Sequence, residues 1–98
     1  MDQNQIRDIV MDAMRTTNLA RPAESQLEVS STGPIFGAAS PLDSLGLVAL
    51  LLDVEDAFQS RGFDVALSDA SAMSRTRSPF RDVPALVSYI DSLMSARP

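Results

Sequence analysis

A serine hydroxyl beside an acidic residue, at the start of an apolar stretch, is the group in this chain best suited to chemistry. The tetrapeptide Leu42-Asp43-Ser44-Leu45 lies between a loop rich in Gly, Pro and Ser (33–41) and an apolar helical pattern that runs to Phe58. Asp and Ser side chains at such a boundary accept hydrogen bonds from the free N–H groups of the first helical turn. Because a helix N-terminus carries partial positive charge, a phosphate attached to Ser44 is electrostatically favoured.

The sequence does not support nucleophilic catalysis by Ser44 within this chain. A serine nucleophile needs an adjacent base, usually His, and the sequence contains neither His nor Cys. Ser44 is therefore better suited to be the substrate of a modifying enzyme. The alternative of an enzyme that uses Asp53 and Asp56 as a carboxylate pair has less support, because these residues lie one helical turn apart on a face that we expect to be solvated.

The tripeptide Asp-Ser-Leu also occurs at residues 91–93, inside the last predicted helix. No loop precedes that copy, and we interpret it as a surface Asp and Ser beside a buried Leu. The tripeptide alone is a weak signal, and the context of Ser44 carries the functional interpretation.

Composition predicts one small domain (1–98) with an acidic surface. The formal net charge of −5 argues against nucleic-acid binding, which needs a basic surface, and favours basic protein partners. No apolar run approaches the ~20 residues that span a bilayer, and the first 18 residues lack the pattern of a signal peptide. We therefore expect a cytoplasmic protein without a membrane span.

The first predicted helix is capped by Asp2, with Gln5 in the capping-box position, and ends near Thr17 or Asn18. Helical spacing predicts one buried face, formed by Ile6, Ile9, Val10, Ala13 and Met14. A long connection (19–41) follows, and three proline-containing dipeptides interrupt any regular pattern in it. We expect its apolar residues to fold back onto the core: Leu27, Val29, Ile35 and Phe36.

The second predicted helix covers residues 44–60 and carries two separate apolar stripes. We expect the broad stripe to face the core: Leu47, Leu50, Leu51, Val54 and Phe58. The narrow stripe, called here the second ridge, comprises Leu45, Val48 and Leu52. Its borders form an acidic rim of Asp53, Glu55 and Asp56. Such a ridge suits docking to basic partner enzymes, and the alternative is that it packs under the long loop.

Residues beyond Gly62 predict an apolar return (62–65), a short third helix over 68–73 capped by Ser68, and a last helix capped by Asp82. The buried face of the last helix is predicted to contain Val83, Leu86, Val87, Ile90 and Met94. Phe80 is expected to anchor the preceding segment in the core. Three basic residues flank it, Arg75, Arg77 and Arg81, and we interpret them as a solvated loop, with contact to a partner or to a phosphate as the alternative.

The motif 42–48, the acidic and apolar residues up to Phe58, and the pattern 83–90 resemble the acyl carrier protein family. The resemblance covers nearly the whole chain and is weakest over 19–35. It implies an all-α, four-helix bundle with a long loop between the first two helices and a short third helix. It also implies that Ser44 carries a 4′-phosphopantetheine arm taken from coenzyme A, that Asp43 helps to position the helix start, and that the chain is not itself an enzyme.

As partners, the resemblance implies a phosphopantetheinyl transferase, an acyl- or aminoacyl-activating ligase, and an acyltransferase or synthase. Many fatty-acid carriers have acidic residues soon after the motif, where this chain has Gly46, Leu47 and Ala49. That departure favours a pathway-specific carrier, for example in polyketide biosynthesis, over a central fatty-acid role. Gly46 also resembles the D-alanyl carrier proteins, so an aminoacyl cargo is one alternative. An unmodified helical adaptor that uses the second ridge is another.

Overall fold

The computed structural model describes residues 2–37, 40–67 and 79–95, and these residues form an all-helical fold. The described helices are α1 (Gln3–Leu19), a 3₁₀ turn (Ala23–Ser25), α2 (Ser44–Gln59) and α3 (Val83–Ser95). None of them combines the length and the apolar character that crossing a bilayer requires. The short helix predicted over 68–73, with Arg75 and Arg77, lies outside the described residues.

α1 begins as predicted and runs slightly further than predicted. The Asp2 carboxylate accepts a hydrogen bond from the Gln5 N–H (2.9 Å), and the Gln5 side-chain oxygen accepts one from the Asp2 N–H (3.0 Å), which completes the capping box. The helix continues to Leu19 because no Gly or Pro interrupts the chain before Pro22. The predicted core face is confirmed, with these residues buried: Ile6, Ile9, Val10, Ala13 and Met14.

The broad apolar stripe of α2 faces the core as predicted. Its side chains are buried: Leu47, Leu50, Leu51, Val54 and Phe58. Full burial of side chains of this size contributes about 1.5–3 kcal/mol each. Gly62, with φ of +87°, supplies the left-handed backbone with which the chain leaves the helix. Val65 and Leu67 then return to the core and are buried.

α3 starts at the predicted cap. The Asp82 Oδ1 atom accepts a hydrogen bond from the Ala85 N–H (2.9 Å). Four of the five predicted core residues of α3 are buried: Val83, Leu86, Val87 and Ile90. Met94 is only partly buried, and it packs against the core from the last described turn of α3. Phe80 is fully buried and meets Tyr89 edge to face, with ring centroids 5.9 Å apart.

α1 packs against both other helices and runs antiparallel to them. The Gln3 side chain donates to the Asp91 carboxylate (3.2 Å), so the start of α1 meets the end of α3. The Arg21 side chain donates to the Pro41 carbonyl (3.2 Å), so the end of α1 lies beside the start of α2. Ser44 therefore sits at the end of the bundle where α1 finishes.

The connection between α1 and α2 folds back onto the core, as predicted. The Asn18 side chain pairs with the backbone of Leu27, accepting from its N–H (2.7 Å) and donating to its carbonyl (3.0 Å). Leu27 and Ile35 are buried, while Val29 and Phe36 are partly buried against the same core. The sequence did not predict the 3₁₀ turn, whose last residue, Ser25, accepts a hydrogen bond at its carbonyl from the Arg21 side chain (2.6 Å).

Hydrogen bonds also tie the connection to the start of α3. The Gly33 carbonyl accepts from the Val83 N–H (2.9 Å), and the Ile35 N–H donates to the Arg81 carbonyl (2.9 Å). A single antiparallel β-bridge lies between these two bonds. Backbone groups thus hold the two chain segments together, beside the buried side chains of Ile35 and Val83.

Gly33, at this junction, has no room for a side chain. A Cβ atom on Gly33 would lie 2.2 Å from the Glu28 carbonyl oxygen, a backbone atom that cannot rotate away. We expect Gly33→Ala to lower the free energy of unfolding by about 3 kcal/mol, as overpacking against a fixed neighbour does. Urea denaturation with an unchanged m-value measures this loss.

Gly62→Ala is the matched comparison. A Cβ on Gly62 meets nothing within 4 Å, so the substitution carries only the cost of a left-handed backbone, about 1–2 kcal/mol. A loss at Gly33 no larger than the loss at Gly62 would contradict the close approach to Glu28.

Candidate modification site

Ser44 is the first residue of α2, and its side chain is exposed. None of the described residues hydrogen-bonds its hydroxyl, so the oxygen is open to solvent. The N–H groups of the first helical turn have no partner one turn earlier in the helix, which leaves donors beside this hydroxyl. The geometry therefore combines an accessible nucleophilic oxygen with the positive end of a helix dipole.

Asp43 is the N-cap of α2. Its Oδ1 atom accepts a hydrogen bond from the Gly46 N–H (2.7 Å), and its carbonyl accepts from the Leu47 N–H (2.9 Å). One carboxylate oxygen of Asp43 is therefore committed to the helix start. The capping role predicted for Asp43 is confirmed, and the cap is made by Asp43 rather than by Ser44.

Because Asp43 caps α2 and Ser44 does not, we expect substitutions of these two neighbours to lower the free energy of unfolding by different amounts. Asp43→Ala removes the cap and is expected to lower the free energy of unfolding by about 1 kcal/mol. Ser44→Ala removes only an exposed hydroxyl and is expected to change it by less than about 0.5 kcal/mol. Urea denaturation of both variants measures the difference, and equal losses would show that Ser44 shares the capping role.

Gly46 has a packing role that sequence reasoning did not find. A Cβ atom on Gly46 would lie 2.8 Å from Leu42 Cδ1 and 3.2 Å from Asp43 Oδ1. Leu42 is buried, so its side chain folds over the first turn of α2 and occupies the space that a larger residue would take. Glycine at this position allows Leu42 to reach the core and Asp43 to cap, at the usual helix-propensity cost of about 1 kcal/mol.

Two polar side chains hold the segment that leads into the site, and neither was singled out from the sequence. The Ser40 hydroxyl donates to the Ile35 carbonyl (2.6 Å) and accepts from the Leu42 N–H (3.2 Å). On the other side, Arg21 donates to the Pro41 carbonyl (3.2 Å). Residues 40–43 therefore approach the helix in a fixed conformation.

The second ridge is exposed at both ends. Leu45 is 81% exposed and Leu52 is 48% exposed, whereas Val48 between them is half-buried. Two large apolar side chains thus lie two turns apart on the solvent face of α2, directly after Ser44. The packing alternative, with the ridge covered by the long loop, does not hold for Leu45 and Leu52.

Two residues of the acidic rim are exposed, and the third is half-buried and hydrogen-bonded to the backbone. Asp53 and Asp56 are exposed. Glu55 is half-buried, and its carboxylate accepts a hydrogen bond from the Leu67 N–H. This contact fastens the segment after α2, so part of the charge of Glu55 is committed to structure.

No family model, curated protein or solved structure matches this chain. The functional interpretation therefore depends on the geometry of these residues and on the sequence motif.

The repeated tripeptide near the end of the chain has a different environment. The Ser92 hydroxyl donates to the Tyr89 carbonyl one turn earlier (2.7 Å), in the middle of α3. Its neighbours' N–H groups are used by the helix, so no free donors or positive helix end surround it. Leu93 is partly buried against the core. Ser92 therefore lacks the free N–H donors and the positive helix end that lie beside the Ser44 hydroxyl.

The other candidate features are less suited to chemistry. A cavity of about 250 Å³ lies between α1 and α2 and is lined partly by Ala13, Ala57, Asp53 and Arg61. Its lining includes Asp53 but not Asp56, so this cavity does not bring the proposed carboxylate pair together. No cluster of three or more acidic residues that could hold a metal ion occurs in the described ranges. Arg81 is exposed, and its nearest recorded carboxylate is Asp82 (3.2 Å).

Proposed function

We propose that this chain is a carrier protein that holds acyl groups as thioesters on a 4′-phosphopantetheine arm attached to Ser44. The observation that supports this proposal best is the exposed Ser44 hydroxyl at the first position of α2, next to an N-cap that Asp43 supplies. The sequence motif contributes the identity of the arm, through its resemblance to the carrier family. The finer fold assignment, a four-helix bundle with a short helix over 68–73, belongs to the same proposal.

The residues present fit such an arm. A phosphate ester on Ser44 Oγ would leave the described hydrogen bonds intact, because none of them uses that oxygen. The free N–H groups of the first helical turn would offer donors to the phosphate, and the positive helix end would favour its charge. When attached, the arm supplies a terminal thiol that carries acyl or aminoacyl groups, a sulfur group that this cysteine-free chain lacks.

Ser44 acts in this proposal as the acceptor and not as a catalyst. A phosphopantetheinyl transferase, with coenzyme A and magnesium, would form the ester at Ser44 Oγ. The Oγ–phosphorus bond would form as the diphosphate bond of coenzyme A breaks, adenosine 3′,5′-bisphosphate would leave, and the hydroxyl proton would pass to a base of the transferase. Asp43 would keep the helix start in place, since its Oδ1 atom holds the Gly46 N–H. Later steps on the cargo would be carried out by a ligase and by an acyltransferase or synthase, while this chain presents the arm.

The second ridge and the acidic rim form the proposed docking face for these enzymes. Leu45 and Leu52 supply exposed apolar area beside the modified residue, and Val48 supplies a half-buried contact between them. Asp53 and Asp56 supply negative charge, with a smaller part from Glu55. Such a face suits enzymes with an apolar depression bordered by basic residues. We propose a cytoplasmic monomer that visits these enzymes in turn.

An aminoacyl cargo remains the alternative within the same class of protein. The sequence support for an aminoacyl cargo was Gly46. Packing alone accounts for a glycine at this position, because the Leu42 side chain occupies the space beside it. Gly46 therefore does not discriminate between acyl and aminoacyl cargo.

An unmodified adaptor is the alternative outside this class. The exposure of Leu45 and Leu52 favours protein binding whether or not Ser44 is modified. In that case Ser44→Ala would leave partner binding unchanged.

Intact-protein and peptide mass spectrometry tests the proposed function. The purified chain is incubated with coenzyme A, magnesium and a phosphopantetheinyl transferase of broad specificity. We expect one phosphopantetheine per chain, on the peptide that contains Ser44. A correctly folded protein, checked by circular dichroism, that gains no mass would contradict the proposal and favour the adaptor.

A further inference from the structure

We propose that Arg21 is a positioning residue for the candidate modification site, because its guanidinium fixes the residues that lead into Ser44. This role rests on the proposed function and concerns how Ser44 is presented to the modifying enzyme. It follows from hydrogen bonds that join the end of α1 to the start of α2.

Hydrogen bonds hold the backbone of Arg21 on both sides of its side chain. The Arg21 N–H donates to the Asn18 carbonyl at the end of α1 (3.1 Å). The Arg21 carbonyl accepts from the Gln26 side chain (3.3 Å), which also donates to the Asn18 carbonyl (3.2 Å). Both backbone polar groups of Arg21 are therefore paired, and its guanidinium projects from a defined position.

Two nitrogens of the guanidinium donate to two different parts of the connection. Its Nε–H donates to the Ser25 carbonyl (2.6 Å), and its Nη2 donates to the Pro41 carbonyl (3.2 Å). The planar fork of arginine makes both bonds with one orientation, whereas a lysine ammonium is a point charge on a flexible stem. Arg21 thus links the 3₁₀ turn to the segment just before Asp43.

The hydrogen bond from Arg21 reaches the single backbone group of Pro41 that can form one. Proline has no N–H, so its carbonyl is the only backbone group with which that residue can be held. The Ser40 hydroxyl secures the neighbouring Leu42 N–H and the Ile35 carbonyl. Without Arg21 the Pro41 carbonyl would lose this bond, and the segment would be held by the Ser40 hydroxyl and by the burial of Leu42. A smaller fraction of molecules would then present Ser44 in the observed conformation.

A reduced fraction of competent molecules has a specific kinetic consequence. The apparent affinity of the modifying enzyme falls in proportion to that fraction, while the rate at saturation is unchanged. For Arg21→Gln we therefore expect the KM of the transferase for this chain to rise about tenfold, with kcat unchanged. Arg21→Lys should behave like Arg21→Gln, because it keeps the charge and loses the fork.

The experiment compares wild type, Arg21→Gln, Arg21→Lys and Arg15→Gln. The last is the charge-matched control, since Arg15 pairs only with Asp12 on the same helix among the described residues. Kinetics of modification are measured together with amide hydrogen exchange at Leu42 and Gly46. We expect both amides to exchange about tenfold faster in the two Arg21 variants, and α3 amides to be unaffected, because a charge-assisted bond has been lost locally.

The two readouts separate this role from the proposed function. A wild-type chain that is not modified contradicts the proposed function, and hydrogen exchange then decides alone whether Arg21 holds the segment. Unchanged exchange at Leu42 and Gly46 in Arg21→Gln would overturn the positioning role. A transferase KM for Arg21→Gln equal to that for wild type would also overturn it. So would wild-type KM and exchange rates in Arg21→Lys, because the effect of Arg21→Gln would then come from the lost charge.

Discussion

Replacing Ser44 by Ala is expected to abolish the addition of phosphopantetheine completely while leaving the fold intact. The proposed ester forms at Ser44 Oγ, and alanine has no atom in that place. The hydroxyl is exposed and Asp43 supplies the cap, so the variant should keep the secondary structure and stability of wild type. Intact-protein mass spectrometry after incubation with coenzyme A and the transferase measures this effect.

Ser92→Ala provides a control within the same chain. Ser92 lies in the identical tripeptide, but its hydroxyl donates to the Tyr89 carbonyl in the middle of α3. We expect this variant to be modified at the wild-type rate. Modification of Ser44→Ala, or loss of modification in Ser92→Ala, would show that the tripeptide at 91–93 contains the acceptor.

A negative charge on the second ridge is expected to weaken recognition strongly. Leu45→Glu places a carboxylate on a side chain that is 81% exposed, directly after Ser44. If Leu45 anchors the interface, its loss removes about 2 kcal/mol of binding or transition-state free energy, which lowers kcat/KM of the transferase about 30-fold. Leu52→Glu should show a smaller decrease in the same direction, because Leu52 is farther from Ser44. Steady-state kinetics at varied carrier concentration measures both.

Leu19→Glu is the matched control for this prediction. Leu19 is 87% exposed, but it lies at the end of α1 and not on the second ridge. The substitution adds the same charge and removes the same apolar side chain. Because the end of α1 lies at the same end of the bundle as Ser44, this control tests whether recognition is specific to the second ridge. Equal decreases in Leu19→Glu and Leu45→Glu would contradict a docking face confined to that ridge.

Local sequence rules were sufficient for the three described α-helices and for their core faces. The caps at Asp2, Asp43 and Asp82 follow from the preference of aspartate for the residue before a helix. The core faces follow from the spacing of apolar residues along each helix. The same spacing separated the second ridge from the core stripe of α2, and the exposure of its two leucines agrees with that separation.

The contacts around Ser44 were not predictable in this way. Arg21 and Pro41 are twenty residues apart along the chain, and their pairing depends on the path of the whole connection. The role of Gly46 follows from the position of the Leu42 side chain, which only tertiary packing determines. Glu55 looked like a surface residue by its type and spacing, yet its carboxylate holds the Leu67 N–H. Non-local hydrogen bonds of this kind leave no periodic pattern in a sequence.

The pairing of Gly33 with Val83 has a consequence for the order of folding. The two residues lie far apart in the sequence, so their hydrogen bond closes a long loop, and the chain must lose the corresponding entropy before the bond forms. The turns of α1 and α2 need only neighbouring residues. A nascent chain therefore contains Ser44 and its helix well before residue 83 has been synthesised. The connection that leads to Ser44 gains its last backbone support only after that point.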